Sequence, residues 1–91
     1  MSIQRVAQAF MQGKTATSHN SKTDGVSYWL HGNKIADKTD TGSVIINWCG
    51  WHTRTTANHL NHIAKAYGIM RRFSAKVAKD YNVSTEVIQH G

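Results

Sequence analysis

Apolar residues along this 91-residue chain switch between a helical and a strand period, and the switches divide it into elements. Ile3, Val6, Ala7, Phe10 and Met11 recur at three- and four-residue steps, which line one face of a helix. Ser2 stands where a cap belongs, and Gly13 where the helix should stop. Residues 14–25, KTATSHNSKTDG, are polar and rich in turn formers, so a loop is expected there. From Val26 the period falls to two. Residues 26–31 form a first strand, residues 34–38 a second, and residues 43–49 a third in which Val44, Ile46 and Trp48 alternate with Ile45, Asn47 and Cys49. Gly32-Asn33 fits a two-residue type II′ turn that pairs Leu30 with Ile35 and Trp29 with Ala36. Residues 39–42 make the second turn.

The helical period then returns. Thr53 or Thr55 is placed to cap a helix running to about Tyr67, with Leu60, Ile63, Ala64 and Tyr67 as its buried stripe and His59 and His62 turned to solvent. Gly68 ends it. Met70, Phe73, Val77 and Tyr81 define another helix, and a last helical piece begins near Ser84. The fold class expected is α+β: an N-terminal helix, a three-stranded antiparallel meander, a helix and a C-terminal helical tail. One small domain over residues 1–91 is expected, with a core over about 1–68 and a basic tail over 69–91; a chain of this length buries roughly 60–65% of its unfolded surface.

Composition narrows the picture in two ways. A single cysteine, Cys49, leaves no internal disulfide framework, and the first 14 residues lack the apolar run of a secretion signal. The longest aliphatic run is Val44-Ile45-Ile46, so a cytoplasmic protein with no membrane span is expected. The net charge is +6 and the pI about 9.8. Residues 52–91 hold six cations (Arg54, Lys65, Arg71, Arg72, Lys76, Lys79) against Asp80 and Glu86, a net +4, and the remainder carries +2. That balance favours an acidic partner, either nucleic acid or an acidic protein surface.

Four constellations bear on chemistry. Arg72, Lys76 and Lys79 fall at i, i+4 and i+7, with Arg71 and Lys65 nearby, and form a stripe that would track phosphates or an acidic surface. Among Tyr28, Trp29, Trp48 and Trp51, alternation leaves either Tyr28 or Trp29 exposed; Trp29 is the candidate for stacking on a base or anchoring an interface. Cys49 and His52, with His59 and His62, offer a tetrahedral zinc set, but six residues between the pairs is short and the helix histidines point away from the apolar stripe. The run from Val77-Ala78 through Asn82-Val83-Ser84 to Val87-Ile88 echoes a helix-turn-helix, with Asn82 in the left-handed turn conformation and Thr85, Glu86 and Gln89 facing a groove. Paired carboxylates, a phosphate loop and a nucleophile elbow are all missing, so no enzyme, cofactor or metal is expected.

Leu30-His31-Gly32-Asn33-Lys34-Ile35-Ala36, and then Gly50-Trp51-His52-Thr53-Arg54-Thr55-Thr56 with Leu60-Asn61, resemble small uncharacterised proteins of tailed bacteriophages that share an LHGNxIA…GWxTxTTxxxLN pattern. The resemblance spans about residues 25–67. It implies a phage product in a bacterial cytoplasm, brings no activity with it, and does not require the cysteine or the histidines. The function expected is a non-enzymatic accessory protein that binds and modulates or inhibits a host or defence complex through its basic surface. The alternative is direct binding of DNA or RNA by the C-terminal basic helices. In either case the contact residues are Arg71, Arg72, Lys76, Lys79, Trp29 and Lys65.

Overall fold

The computed structural model describes residues 2–50 and 52–89, excluding the side chains of Ser2 and Gln89. Helix α1 (Ser2–Gln12) leads into strands β1 (Ala16–Thr17), β2 (Ser21–Thr23), β3 (Ser27–Leu30), β4 (Asn33–Lys38) and β5 (Ser43–Asn47). Helices α2 (Arg54–Ala66) and α3 (Ala75–Asp80) follow, and β6 (Thr85–Gln89) closes the described chain. The strands form one six-stranded sheet in the order β1-β2-β3-β4-β5-β6, with every neighbouring pair antiparallel.

The class is α+β, but the sheet is twice as wide as the expected three-stranded meander. Two segments account for the difference. The polar run 14–25 is a hairpin: Ser21 and Thr23 point inward and are buried, and Lys22 points outward. The alternation is real but written in hydroxyl side chains, so hydrophobic periodicity does not reveal it. Thr23 tolerates burial because its hydroxyl donates to the Ser27 carbonyl (2.6 Å) and accepts from the Gly25 amide (3.0 Å). The last helical piece expected from Ser84 is also a strand, although α3 lies within the expected helical tail. Residues from Thr85 onward pair with β5, placing Ile88 beside Val44 under the helices and Val87 beside Ile45 on the open face. Adjacent β-branched residues suit that two-faced position. Asn82 does adopt the left-handed conformation (φ 54), but it turns the chain from α3 into β6 and starts no recognition helix.

The β3–β4 turn is offset by one residue from the expected type II′. His31 (φ 52) and Gly32 (φ 81) both occupy the left-handed region, so the turn is type I′-like and Leu30 pairs with Asn33. A bulge between Tyr28 and Trp29 then shifts the register by one, placing Tyr28 opposite Ala36 where Trp29 was expected, with both Ile35 and Ala36 buried.

One face of the sheet carries the core. Val6, Ala7 and Phe10 of α1 and Leu60, Ile63 and Ala64 of α2 cover Tyr28, Leu30, Ala36, Val44, Ile46 and Ile88. The Phe10 ring meets Tyr28 edge-on at 5.9 Å and Tyr67 at 6.1 Å. Gly25 (φ +94) sits against the end of α1, where an added Cβ would lie 2.6 Å from the Gly13 carbonyl oxygen, a backbone atom with no freedom to move aside. Gly25→Ala should therefore cost about 2–3 kcal/mol and lower the Tm by roughly 10 °C or more, read by thermal circular dichroism.

Candidate binding surface

Helix α2 presents a polar stripe away from the core. Arg54, Asn58, Asn61 and Lys65 fall at i, i+4, i+7 and i+11, all on one helix face. Thr53 starts the helix: its hydroxyl accepts from the Thr56 amide at 3.2 Å. The chain leaves α2 at Gly68 and returns alongside the stripe. Residues 70–74, expected to be helical, are not, and the Asn61 side chain holds the backbone within them. The Asn61 amide donates to the Phe73 carbonyl (3.1 Å), and its oxygen accepts from the Phe73 N–H (2.5 Å). Both backbone groups that a helix would have paired are taken. Phe73 then drops into the core, 6.4 Å from the Trp48 ring, and Ser74 caps the short α3 by accepting from the Val77 amide.

With Phe73 pinned, its neighbours Arg71 and Arg72 are held out beside α2. Two shallow cavities of about 470 and 760 Å³ share Asn58, Asn61 and Arg72 and form one groove. Its lining includes Arg54, Lys65, Arg71, Arg72 and Lys76 and no carboxylate. Arg71 is partly committed: it pairs with Glu86 of β6 and lies 4.9 Å over the Phe73 ring. Among the described residues the other four cations have no ion pair. Met70 stands fully exposed in the groove wall, and Val77 and Tyr81 are exposed one helical turn apart on and just after α3 (52% and 78%). Asn61→Ala should free the 69–74 segment at a cost of about 2 kcal/mol, the sum of two ordinary hydrogen bonds, read as a lower urea midpoint.

Residues 1–89 match the Kyanoviridae Gp96 protein family, a family of phage proteins. The chain belongs to that family. The match takes in the N-terminal helix and the basic C-terminal segment, both outside the stretch 25–67 that carries the motif resemblance. No curated protein and no solved structure matches it.

Within this family member, the expected contact residues divide between two faces. Lys65, Arg71, Arg72 and Lys76 gather at the groove. Lys79 is exposed on α3 but does not line it. Trp29 alternates with the buried Tyr28 and Leu30 and lies on the open face of the sheet, between Lys22 and Lys34. Trp51 lies outside the described residues. Arg54 belongs to the groove and was missed; its place in the i, i+4, i+7, i+11 stripe was the signal that could have found it.

The cysteine and histidines do not converge. The Cys49 thiol donates to the Lys34 carbonyl at 3.0 Å, and burial pushes its pKa up. His52 stacks on Trp48 at 5.5 Å with Nε2 2.6 Å from the Val83 carbonyl. His59, expected in solvent, is buried with Nδ1 2.8 Å from the Tyr28 hydroxyl. Among the described residues no three His, Cys, Asp or Glu side chains gather as a metal site. The two segments of the resemblance do meet: Leu30, His31, Asn33 and Ile35 face Thr53, Thr55 and Thr56 across a cavity of about 400 Å³ that Trp48 also lines. Among the described residues no helix is long and apolar enough to cross a membrane.

Proposed function

We propose that the protein is a non-enzymatic phage accessory protein, acting in the bacterial host cytoplasm, that binds a host or defence macromolecular complex through this helical face and modulates or inhibits it. The observation that carries the reading is a carboxylate-free basic groove with the fully exposed Met70 in its wall, next in the chain to α3, where Val77 is exposed and is followed by the exposed Tyr81. Met, Tyr and Arg are enriched at the cores of protein interfaces. A partner with an acidic rim and an apolar pocket would bury Tyr81 and Met70 while Arg72, Lys76 and Lys65 steer its approach.

The groove's freedom from carboxylates favours a second reading, direct contact of the same cations with nucleic-acid phosphates. Pull-down from host lysate, with and without nuclease, separates the two. A discrete protein retained after nuclease, and absent with Tyr81→Ala, supports the first. Binding that nuclease removes, and that falls steeply with salt, supports the second.

A further inference from the structure

The face of the sheet turned away from α1 and α2 is open, and it carries a row of three side chains. Lys22 of β2, Trp29 of β3 and Lys34 of β4 are in register across three strands. The ammonium groups lie 5.4 Å (Lys22) and 6.0 Å (Lys34) from the centre of the indole ring. Beside the ring is a depression of about 300 Å³, where the turn joining β1 to β2 meets the His31-Gly32 turn. It is lined by Trp29, Lys22, His19, Asn20 and His31 among others, and by no carboxylate. Of the acids flanking β3, Asp24 accepts the Val26 and Ser27 amides at 2.9 and 2.8 Å and also attracts Lys34 through space, and Asp37 accepts the Ser27 hydroxyl at 2.6 Å.

A lone surface tryptophan carries no message. A tryptophan flanked on both sides by cations, next to a cleft rimmed with histidine and amide groups, has the chemistry of a nucleotide contact. The half-buried ring can take a base once the lysine ammoniums now over it turn to the flanking phosphates, and Asn20 supplies both a donor and an acceptor. Bases inside a duplex are stacked on each other and closed to such a ring, so the ligand must be single-stranded. We propose that Lys22, Trp29 and Lys34 form a stacking platform for single-stranded nucleic acid on the open face of the sheet. This site is separate from the helical groove and does not depend on the function proposed for it.

The test uses the full chain with a fluorescein-labelled oligothymidylate of about eight nucleotides, within the range of site sizes for such platforms, and a hairpin duplex of similar length. Binding of the single strand should quench tryptophan emission. Trp29→Leu should remove that quench and weaken single-strand binding about tenfold, as removal of one stacked base would. The exposed pair Lys22→Glu/Lys34→Glu, whose folding is checked by an unchanged melting curve, should weaken it at least as much. Arg72→Glu/Lys76→Glu should leave the quench intact. Single-strand binding that survives both platform variants overturns the proposal, as does no binding of the oligonucleotide at all. Equal binding of duplex and single strand that only the groove variant weakens also overturns it, and moves nucleic-acid contact to the helical face.

Discussion

The Arg72→Glu/Lys76→Glu variant is expected to release its partner almost entirely, with the dissociation constant rising by roughly 100-fold or more and the melting temperature unchanged. Both side chains are exposed, and neither makes an ion pair among the described residues, so their replacement disturbs no such pairing in the folded state. The effect on binding is larger than charge removal alone. Each substitution puts a carboxylate where an acidic partner expects a cation, and like-charge juxtaposition at an interface costs several kcal/mol, with each 1.4 kcal/mol a factor of ten. Lys79→Glu on the same short helix does not touch the groove and should weaken binding much less. Isothermal titration with the captured partner, or anisotropy with nucleic acid, reads both. For a nucleic-acid partner, the slope of log K against log salt should also flatten by about 0.9 for each phosphate left without its cation. Equal weakening by the groove pair and by Lys79→Glu would mean that overall charge, and no particular surface, drives binding.

What could be read in advance, and what could not, follows from where each element keeps its information. Helices α1 and α2 carry theirs in apolar periodicity, and Thr53 and Gly68 punctuate α2 where expected. The central hairpin was legible because only a few residue types serve a two-residue turn. Its offset was not, because His31 takes a left-handed conformation uncommon outside glycine, which moves the turn back by one residue and the pairing beside it by two. Strands β1 and β2 were invisible because the inward positions of β2 are Ser21 and Thr23; the burial of Thr23 is tolerated through bonds made with the neighbouring turn. Val83, before β6, and Val87 and Ile88 within it have a helix-like spacing, and only the pairing of β6 with β5 decides the matter.

The groove shows the same division. That Lys65, Arg71, Arg72 and Lys76 would be solvated cations is plain from the sequence. That the last three would line a channel beside α2 depends on Asn61 gripping both backbone groups of Phe73, an interaction spanning twelve residues that no periodicity encodes. The breadth of the sheet matters for function too. The extra hairpin supplies Lys22 and the cleft next to Trp29, so the surface where a single strand would lie exists only because the polar run 14–25 folds as strands.

Acid should begin to weaken this protein before its carboxylates are protonated. His59 is buried on the inner face of α2, with its Nδ1 2.8 Å from the Tyr28 hydroxyl. Burial, with lesser repulsion from His62 and His31, takes its pKa from 6.5 down to about 4. Below pH 6.5 the unfolded chain takes up a proton that the folded chain refuses, so stability falls as pH drops from about 6.5 to about 4 and levels below that for this group. The gap of 2.5 (6.5 − 4) corresponds to about 3 kcal/mol, a large share of the 5–15 kcal/mol typical of a small domain. His62 is lowered in the same direction, by burial and then by Lys65, and adds to the destabilisation with the same sign. Urea unfolding at pH 7.5, 6.0, 5.0 and 4.5 should show a midpoint that slides downward across this range. His59→Gln keeps a side chain able to bond the Tyr28 hydroxyl and removes the titration. It should be somewhat less stable than the parent at pH 7.5 and nearly level with it at pH 4.5, so the two curves converge. A parent whose midpoint is flat across the same range would mean that His59 is solvated, and that the Tyr28 hydrogen bond does not hold α2 to the sheet in solution.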